Sequence, residues 1–333
     1  MDREQEDMQF LGFFGILKES MKIIFTWKRI FSQITLALIL PLSFIFLAHF
    51  QISQLLFIKI LNNESELEYT RKGSPTYSKL SDTISSERAA FWLFKAFYFT
   101  FLLILSLLST SAVVYTIASI YTAKDITFKK VMSVVPRVWK RLMVTFLWSF
   151  AVVLLYNFVS ATLFYFWARY YGFYKIGIAI FIALVILYVI GFVYISVVWH
   201  LASVISVLED MYGIKAMIKS RKLIKGKMFS AVALFLMITT FFVGVEFLFE
   251  NLVVLNMGRR NMGISIPIGI LCLFLVCTVF LFGLVVQTVI YFVCKSYHHE
   301  NIDKSSLADH LEVYRGEYVP LKGKDIQLGD VHV

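Results

Sequence analysis

"ITFKKVMSVVPRVWKR" (126–141) and "YGIKAMIKSRKLIKGK" (212–227) are two short basic stretches, each set between long apolar runs. A third and weaker copy, "FFGILKESMKIIFTWKR", occupies 13–29. A pair of hydrophobic runs follows each copy. This alternation predicts an all-α polytopic membrane protein. Six transmembrane helices are expected as three hairpins, each preceded by a cytosolic interfacial amphipathic helix.

Composition leads to the same class. The 333 residues are 59% apolar and 16% charged, against 45–50% and about 25% in a soluble chain. The excess apolar content lies in runs long enough to cross a hydrocarbon layer about 30 Å thick. Six spans are expected, roughly at 30–50, 92–121, 142–167, 173–207, 229–255 and 267–295. The net charge of +10 is read as topology and lipid-headgroup contact, not as nucleic-acid binding.

Lys and Arg set the expected orientation. Lys124, Lys129, Lys130, Arg137, Lys140 and Arg141 fall between spans two and three. Lys215, Lys219, Arg221, Lys222, Lys225 and Lys227 fall between spans four and five, and Lys18, Lys22, Lys28 and Arg29 precede the first span. The short alternate connections are poorer, 168–174 carrying Arg169 and 256–266 carrying Arg259 and Arg260. The positive-inside rule then places both termini in the cytosol. The long connection 51–91 is expected as a lumenal loop, and it carries the glycosylation acceptor Asn63-Glu64-Ser65. Residues 1–29 lack the apolar core of a cleavable signal peptide, so the first span is expected to act as a signal anchor. The endoplasmic reticulum or the plasma membrane is the expected location.

Within the basic copies the apolar residues follow helical periodicity. Phe128, Val131, Met132, Val135, Val138, Trp139 and Leu142 form one stripe, with Pro136 expected to kink or split the helix. Ile214, Met217, Ile218, Ile224 and Met228 form the second stripe. Phe10, Phe13, Phe14, Leu17, Met21, Ile24 and Phe25 form the third. Basic helices with one apolar face are expected to lie in the interface plane. There Lys129, Lys130, Arg137, Lys140, Arg141, Lys215, Lys219, Lys222 and Lys225 are the candidate contacts to anionic lipid headgroups. "WKR" recurs at 27–29 and 139–141, and "ASI" at 118–120 returns as "ASV" at 202–204. Diverged pseudo-repeats 10–121, 126–207 and 212–295 would build one six-span domain, with a pseudo-threefold axis along the membrane normal. The polar segment 296–333 is read as a cytosolic tail, flexible or partner-binding.

The segment "SVLEDMYGIKAMIKSRKLIKGK" (206–227) resembles an element of the membrane-domain family found beside glycerophosphodiester phosphodiesterases. The matching positions are Glu209, Gly213, Ala216, Ser220, Leu223, Lys225 and Gly226. With "LLSTSAVVYTIASIY" (107–121) and "VPRVWKRLMVTFLW" (135–148), the whole chain is similar to a family of plant multi-pass membrane proteins without assigned activity. The resemblance implies a six-span domain. It does not carry over the phosphodiesterase activity, because no soluble stretch here is long enough for a catalytic barrel.

Polar groups inside spans are costly and default to functional candidates. His49, Lys95, Glu246 and Glu250 are placed toward the lumenal side, and His200 and Gln287 toward the cytosolic side. Glu246 and Glu250 share a helix face, and Lys95 is a candidate partner for Glu246. Two readings stand side by side: a polar vestibule for a cation or headgroup, or structural pairs that snorkel to the interface. For His200 and Gln287, as for Asn157, interhelical packing through a hydrogen bond is the plainer role. Cys272, Cys277 and Cys294 form no zinc spacing, and Cys294, beside the membrane, is open to palmitoylation. No nucleophile elbow, P-loop, metal motif or cofactor signature is present. The expected function is that of a lipid-interacting or scaffold membrane protein without catalytic activity, possible membrane-protein partners included. The alternative is a transporter or channel along the pseudo-threefold axis.

Overall fold

A computed structural model describes residues 8–122, 126–172, 174–254 and 262–299. Every regular element among them is helical. We number them α1 (Phe13–Thr26), α2 (Lys28–Tyr69), α3 (Pro75–Tyr121), α4 (Phe128–Tyr170), α5 (Lys175–Leu208), α6 (Ile214–Leu223), α7 (Met228–Val254) and α8 (Met262–Tyr297). Six of these, α2, α3, α4, α5, α7 and α8, are long and apolar enough to cross a membrane. In sequence order α2 packs on α3, α4 on α5, and α7 on α8. The expected tail beyond 299, the connection bearing Arg259 and Arg260, and Lys124 lie outside the described residues.

α3 is the inner helix. Of its most apolar stretch 61% is buried, against 6% for α5. The cause is side-chain size. Ser109, Ser111, Ala112, Val113, Val114, Thr116, Ile117 and Ala118 are all buried, and short or β-branched side chains let neighbouring helices approach closely. The outer faces of α4 and α5 carry Leu155, Phe158, Ile182, Leu187 and Ile190, all exposed. In water such a surface would drive aggregation, whereas lipid chains solvate it.

The expected loop at 51–91 is helical instead. α2 runs 42 residues and α3 runs 47, about 63 Å and 70 Å at 1.5 Å per residue, twice a hydrocarbon layer. Their excess length forms a helical hairpin closed by a short turn at Thr70–Ser74. The Ser74 side chain accepts from the Tyr77 N–H at 3.1 Å and starts α3. Ile60 and Ile84 are buried in the hairpin. Lys59 pairs with Glu87 at 3.0 Å, and Arg88 pairs with Glu64. The polar composition that suggests a loop is thus the matched charge of two facing helices.

A second expectation also changes. Residues 128–141 are not a separate interfacial helix, since α4 runs unbroken through Pro136 to Tyr170. A proline inside a helix removes one backbone hydrogen bond and crowds the preceding turn, at a cost of about 3 kcal/mol. Val131, Val134, Val135, Val138 and Leu142 offset it, all nearly inaccessible in the main core. The stripe read as facing lipid faces the bundle. Pro41 acts differently: the chain widens into a π turn over Thr35–Ile39 just before it, which accommodates the missing N–H.

α1 and α6 remain separate helices. α1 buries Ile16, Ser20 and Ile23 against the bundle and exposes Phe14, Met21 and Phe25 of the expected stripe; Phe10, in the turn before it, is exposed as well. α6 buries Ala216, Ser220 and Leu223 and exposes Ile214 and Ile218. The basic end of the bundle, where α1 and α6 lie, holds the larger core. A smaller cluster of Leu47, Val245, Phe249, Cys272 and Val276 sits toward the hairpin end.

Candidate functional site

Glu209 organises the basic end. It follows the last turn of α5, and its side chain is only 12% exposed. Lys219 of α6 meets its Oε2 at 2.8 Å, and Lys295 of α8 its Oε1 at 3.3 Å. The Tyr291 hydroxyl donates to Oε1 at 2.7 Å. One carboxylate thus ties three helices. Burial pushes the Glu209 carboxyl up, but the hydrogen bond from Lys219, the charge of Lys295 and the Tyr291 hydroxyl outweigh it and hold the group below its ordinary 4.5.

The turn that follows is built for close approach. Gly213 has φ +65°, and a Cβ there would meet Trp148 Cδ1 at 3.0 Å. Its N–H donates to Thr145 Oγ1 at 2.7 Å, and Thr145 also bonds Ser206 at 2.7 Å. Ser220 donates to the Val198 carbonyl at 2.7 Å. Gly226, at φ +91°, leaves room for the Tyr297 ring. The Glu-Gly-Ala-Ser-Gly pattern of the sequence therefore docks a short basic helix on the ends of α4, α5 and α8.

That docking consumes some of the expected headgroup contacts. Lys219 belongs to Glu209, and Arg141 bonds Asp210 at 2.8 Å. Arg137 is also engaged. Lys129, Lys140, Lys215, Lys222 and Lys225 are exposed, with no ion pair among the described residues; Lys130 is half-buried.

Toward the hairpin end the intramembrane polar residues regroup. Lys95 Nζ meets His49 Nε2 at 2.6 Å, whereas Glu246 was its expected partner. The His49 ring stacks on Tyr98 at 3.7 Å and lies parallel to Phe94. Glu250 is exposed, one turn on from Glu246. These groups stand near the end of the apolar zone and do not line the cavity between α5, α7 and α8. Asn63 is half-buried, and its amide donates to Glu87 at 2.7 Å within the helical hairpin.

His200 and Gln287 lie elsewhere and in a different setting. A partly open cavity of about 320 Å³ separates α5, α7 and α8. Ala231, Phe235, Ile238 and Phe242 form one wall, and Phe280, Gly283, Leu284 and Ile290 another. The polar side chains in its lining are His200, Gln287 and Thr239. His200 Nδ1 lies 3.0 Å from Gln287 Oε1, which joins α5 to α8 across the cavity. From Ala231 to Phe242 the wall runs about 16 Å along α7, close to half of a hydrocarbon layer of about 30 Å. Ile224, beside Lys225, closes the basic end of the lining. Sequence reasoning picks out the two polar residues but not the void, because a void is a property of three packed helices.

The remaining candidates are structural. Asn157 Nδ2 donates to the Val153 carbonyl, and its Oδ1 accepts from Tyr188 at 2.9 Å, binding α4 to α5. Cys294 is fully buried, so its thiol does not present itself for acylation. Among the described residues no group of three His, Cys, Asp or Glu is placed to hold a metal ion.

Comparison with known families adds one finding. The chain belongs to DUF8558, a domain family of unknown function, which matches residues 1–331. No curated protein matches it. No solved structure matches it. The six membrane-crossing helices and this membership define a multi-pass membrane protein of the DUF8558 family.

Proposed function

We propose that this chain is a non-catalytic, lipid-interacting membrane protein of the endoplasmic reticulum or plasma membrane, and that its cavity holds a lipid chain. The observation that carries this reading is the apolar cavity between α5, α7 and α8, one leaflet deep and partly open within the apolar zone. Apolar pockets with a few polar groups are the usual form of small-molecule sites. The basic end faces the cytosol, as the Lys and Arg excess favours, with both termini on that side and three helical hairpins behind it. Lys129, Lys140, Lys215, Lys222 and Lys225 would then meet anionic headgroups, worth about 1 kcal/mol per residue near the surface. The exposed aromatic stripe of α1 supports an interfacial placement.

The test is lipid co-purification. The full chain is extracted in mild detergent, and bound lipids are identified by mass spectrometry. A Gly283→Phe variant fills the cavity, and a Lys129, Lys140, Lys215, Lys222 and Lys225 to Gln variant removes the free basic charge. Loss of a defined lipid in the first variant, and of anionic lipid in the second, is expected. Lipid recovered at bulk proportions from all three forms would refute the reading and shift weight to a protein scaffold or a solute path.

A further inference from the structure

The polar spot inside the cavity has a definite hydrogen-bonding signature. Gln287 Oε1 can only accept, so the 3.0 Å contact requires His200 Nδ1 to carry the proton. In the neutral ring the second nitrogen, Nε2, then carries a bare lone pair. Gln287 Nε2 carries two N–H groups. Among the described residues neither nitrogen makes another hydrogen bond, and both residues line the cavity. The cavity thus offers one acceptor beside one donor group on otherwise apolar walls.

Few chemical groups match that pair. A bare hydrocarbon chain leaves both nitrogens unsatisfied, which is costly in an apolar setting. A carboxylate or phosphate sets its lone pairs against that of His200 and brings a charge with no counter-ion in the lining. An ester carbonyl accepts from Gln287 and leaves His200 unpaired. A hydroxyl donates to His200 Nε2 and accepts from Gln287 Nε2 at once. Depth narrows the choice again. His200 lies about 12 Å before the end of α5 and Gln287 about 15 Å before the end of α8, both within helices long and apolar enough to cross a membrane.

We infer that the cavity is selective for a neutral lipid carrying one hydroxyl within the hydrocarbon layer, a sterol or a chain-hydroxylated lipid, with His200 as acceptor and Gln287 as donor. This rests on the cavity being a lipid site, and the two claims fail separately in one experiment. The full chain is placed in nanodiscs with two matched pairs of photoactivatable probes. One pair is a sterol with a free hydroxyl and its methyl ether. The other is a phospholipid with a hydroxylated acyl chain and its unhydroxylated counterpart.

Wild-type protein should label about tenfold more with the hydroxyl member of one pair, the effect of losing the donation to His200 in the methyl ether, which still accepts from Gln287, or both hydrogen bonds in the unhydroxylated chain. The preferred pair identifies the source, and labelled peptides should map to α5, α7 and α8. The volume-conserving Gln287→Met variant should bring the ratio toward one, while Gly283→Phe should remove labelling by every probe. A wild-type ratio near one in both pairs, with labelling still removed by Gly283→Phe, would overturn the hydroxyl selectivity alone. Labelling of every probe unchanged in Gly283→Phe would overturn the lipid site itself. The wild-type ratio needs no variant, so poor folding of a mutant cannot mask the result.

Discussion

Replacing Glu209 should loosen the basic end as a unit. In Glu209→Ala the Tyr291 hydroxyl loses its acceptor, and Lys219 and Lys295 lose their counter-charge. Removing one partner of a fully buried pair costs about 3–5 kcal/mol. Here the two lysines are 21% and 16% exposed, so water recovers part of that loss, and about 2–3 kcal/mol is expected. Thermal unfolding in detergent, followed by tryptophan fluorescence, should show Tm lowered by about 3–4 °C. Glu209→Gln keeps an acceptor for Tyr291 and should cost about half as much. Acid provides an internal check. The folded carboxyl titrates below its ordinary 4.5, so its contribution is full above that value and fades as pH falls through the folded value. The Tm gap between wild type and Glu209→Gln should therefore narrow steadily as pH is lowered past the ordinary 4.5 toward the acid side. A gap unchanged across that range, or no loss in Glu209→Ala, would refute the role of Glu209 as the tie between α5, α6 and α8.

Other outcomes follow from the same geometry. Gly213→Val should destabilise by about 2 kcal/mol, because φ is +65° and a branched Cβ crowds Trp148; denaturant unfolding measures it. Thr145→Val leaves the Gly213 N–H without its acceptor and should cost about 1–3 kcal/mol in the same assay. The thiols of Cys272, Cys277 and Cys294, all buried, should resist a water-soluble maleimide in the folded protein and react on denaturation, read by intact mass. Rapid labelling of Cys294 in the native state would contradict its burial and reopen it as an acylation site.

The sequence by itself determined the class of protein and the number of its spans. Apolar runs must satisfy their backbone internally in lipid, so composition and length alone select helices. It also singled out Glu209 with the glycines and small residues after it, and His200 with Gln287. Periodicity could not say what each apolar stripe faces. The stripes on α1 and α4 read alike, yet Phe14 and Phe25 are exposed while Val131, Val135 and Val138 are buried in protein. A stripe records only that a face is apolar, and lipid and protein core are equally apolar. Charge was ambiguous in the same way. Glu64, Glu87 and Arg88 suggest a loop until two helices bring them opposite one another, and Lys219 looks free for a headgroup until Glu209 arrives beside it. The cavity came only from tertiary structure, since empty space depends on how three helices from distant parts of the chain fail to close. Local rules act over a few residues and settle which segments are helical. Pairing, burial and voids depend on contacts between residues as far apart as 200 and 287, which only the folded chain brings together.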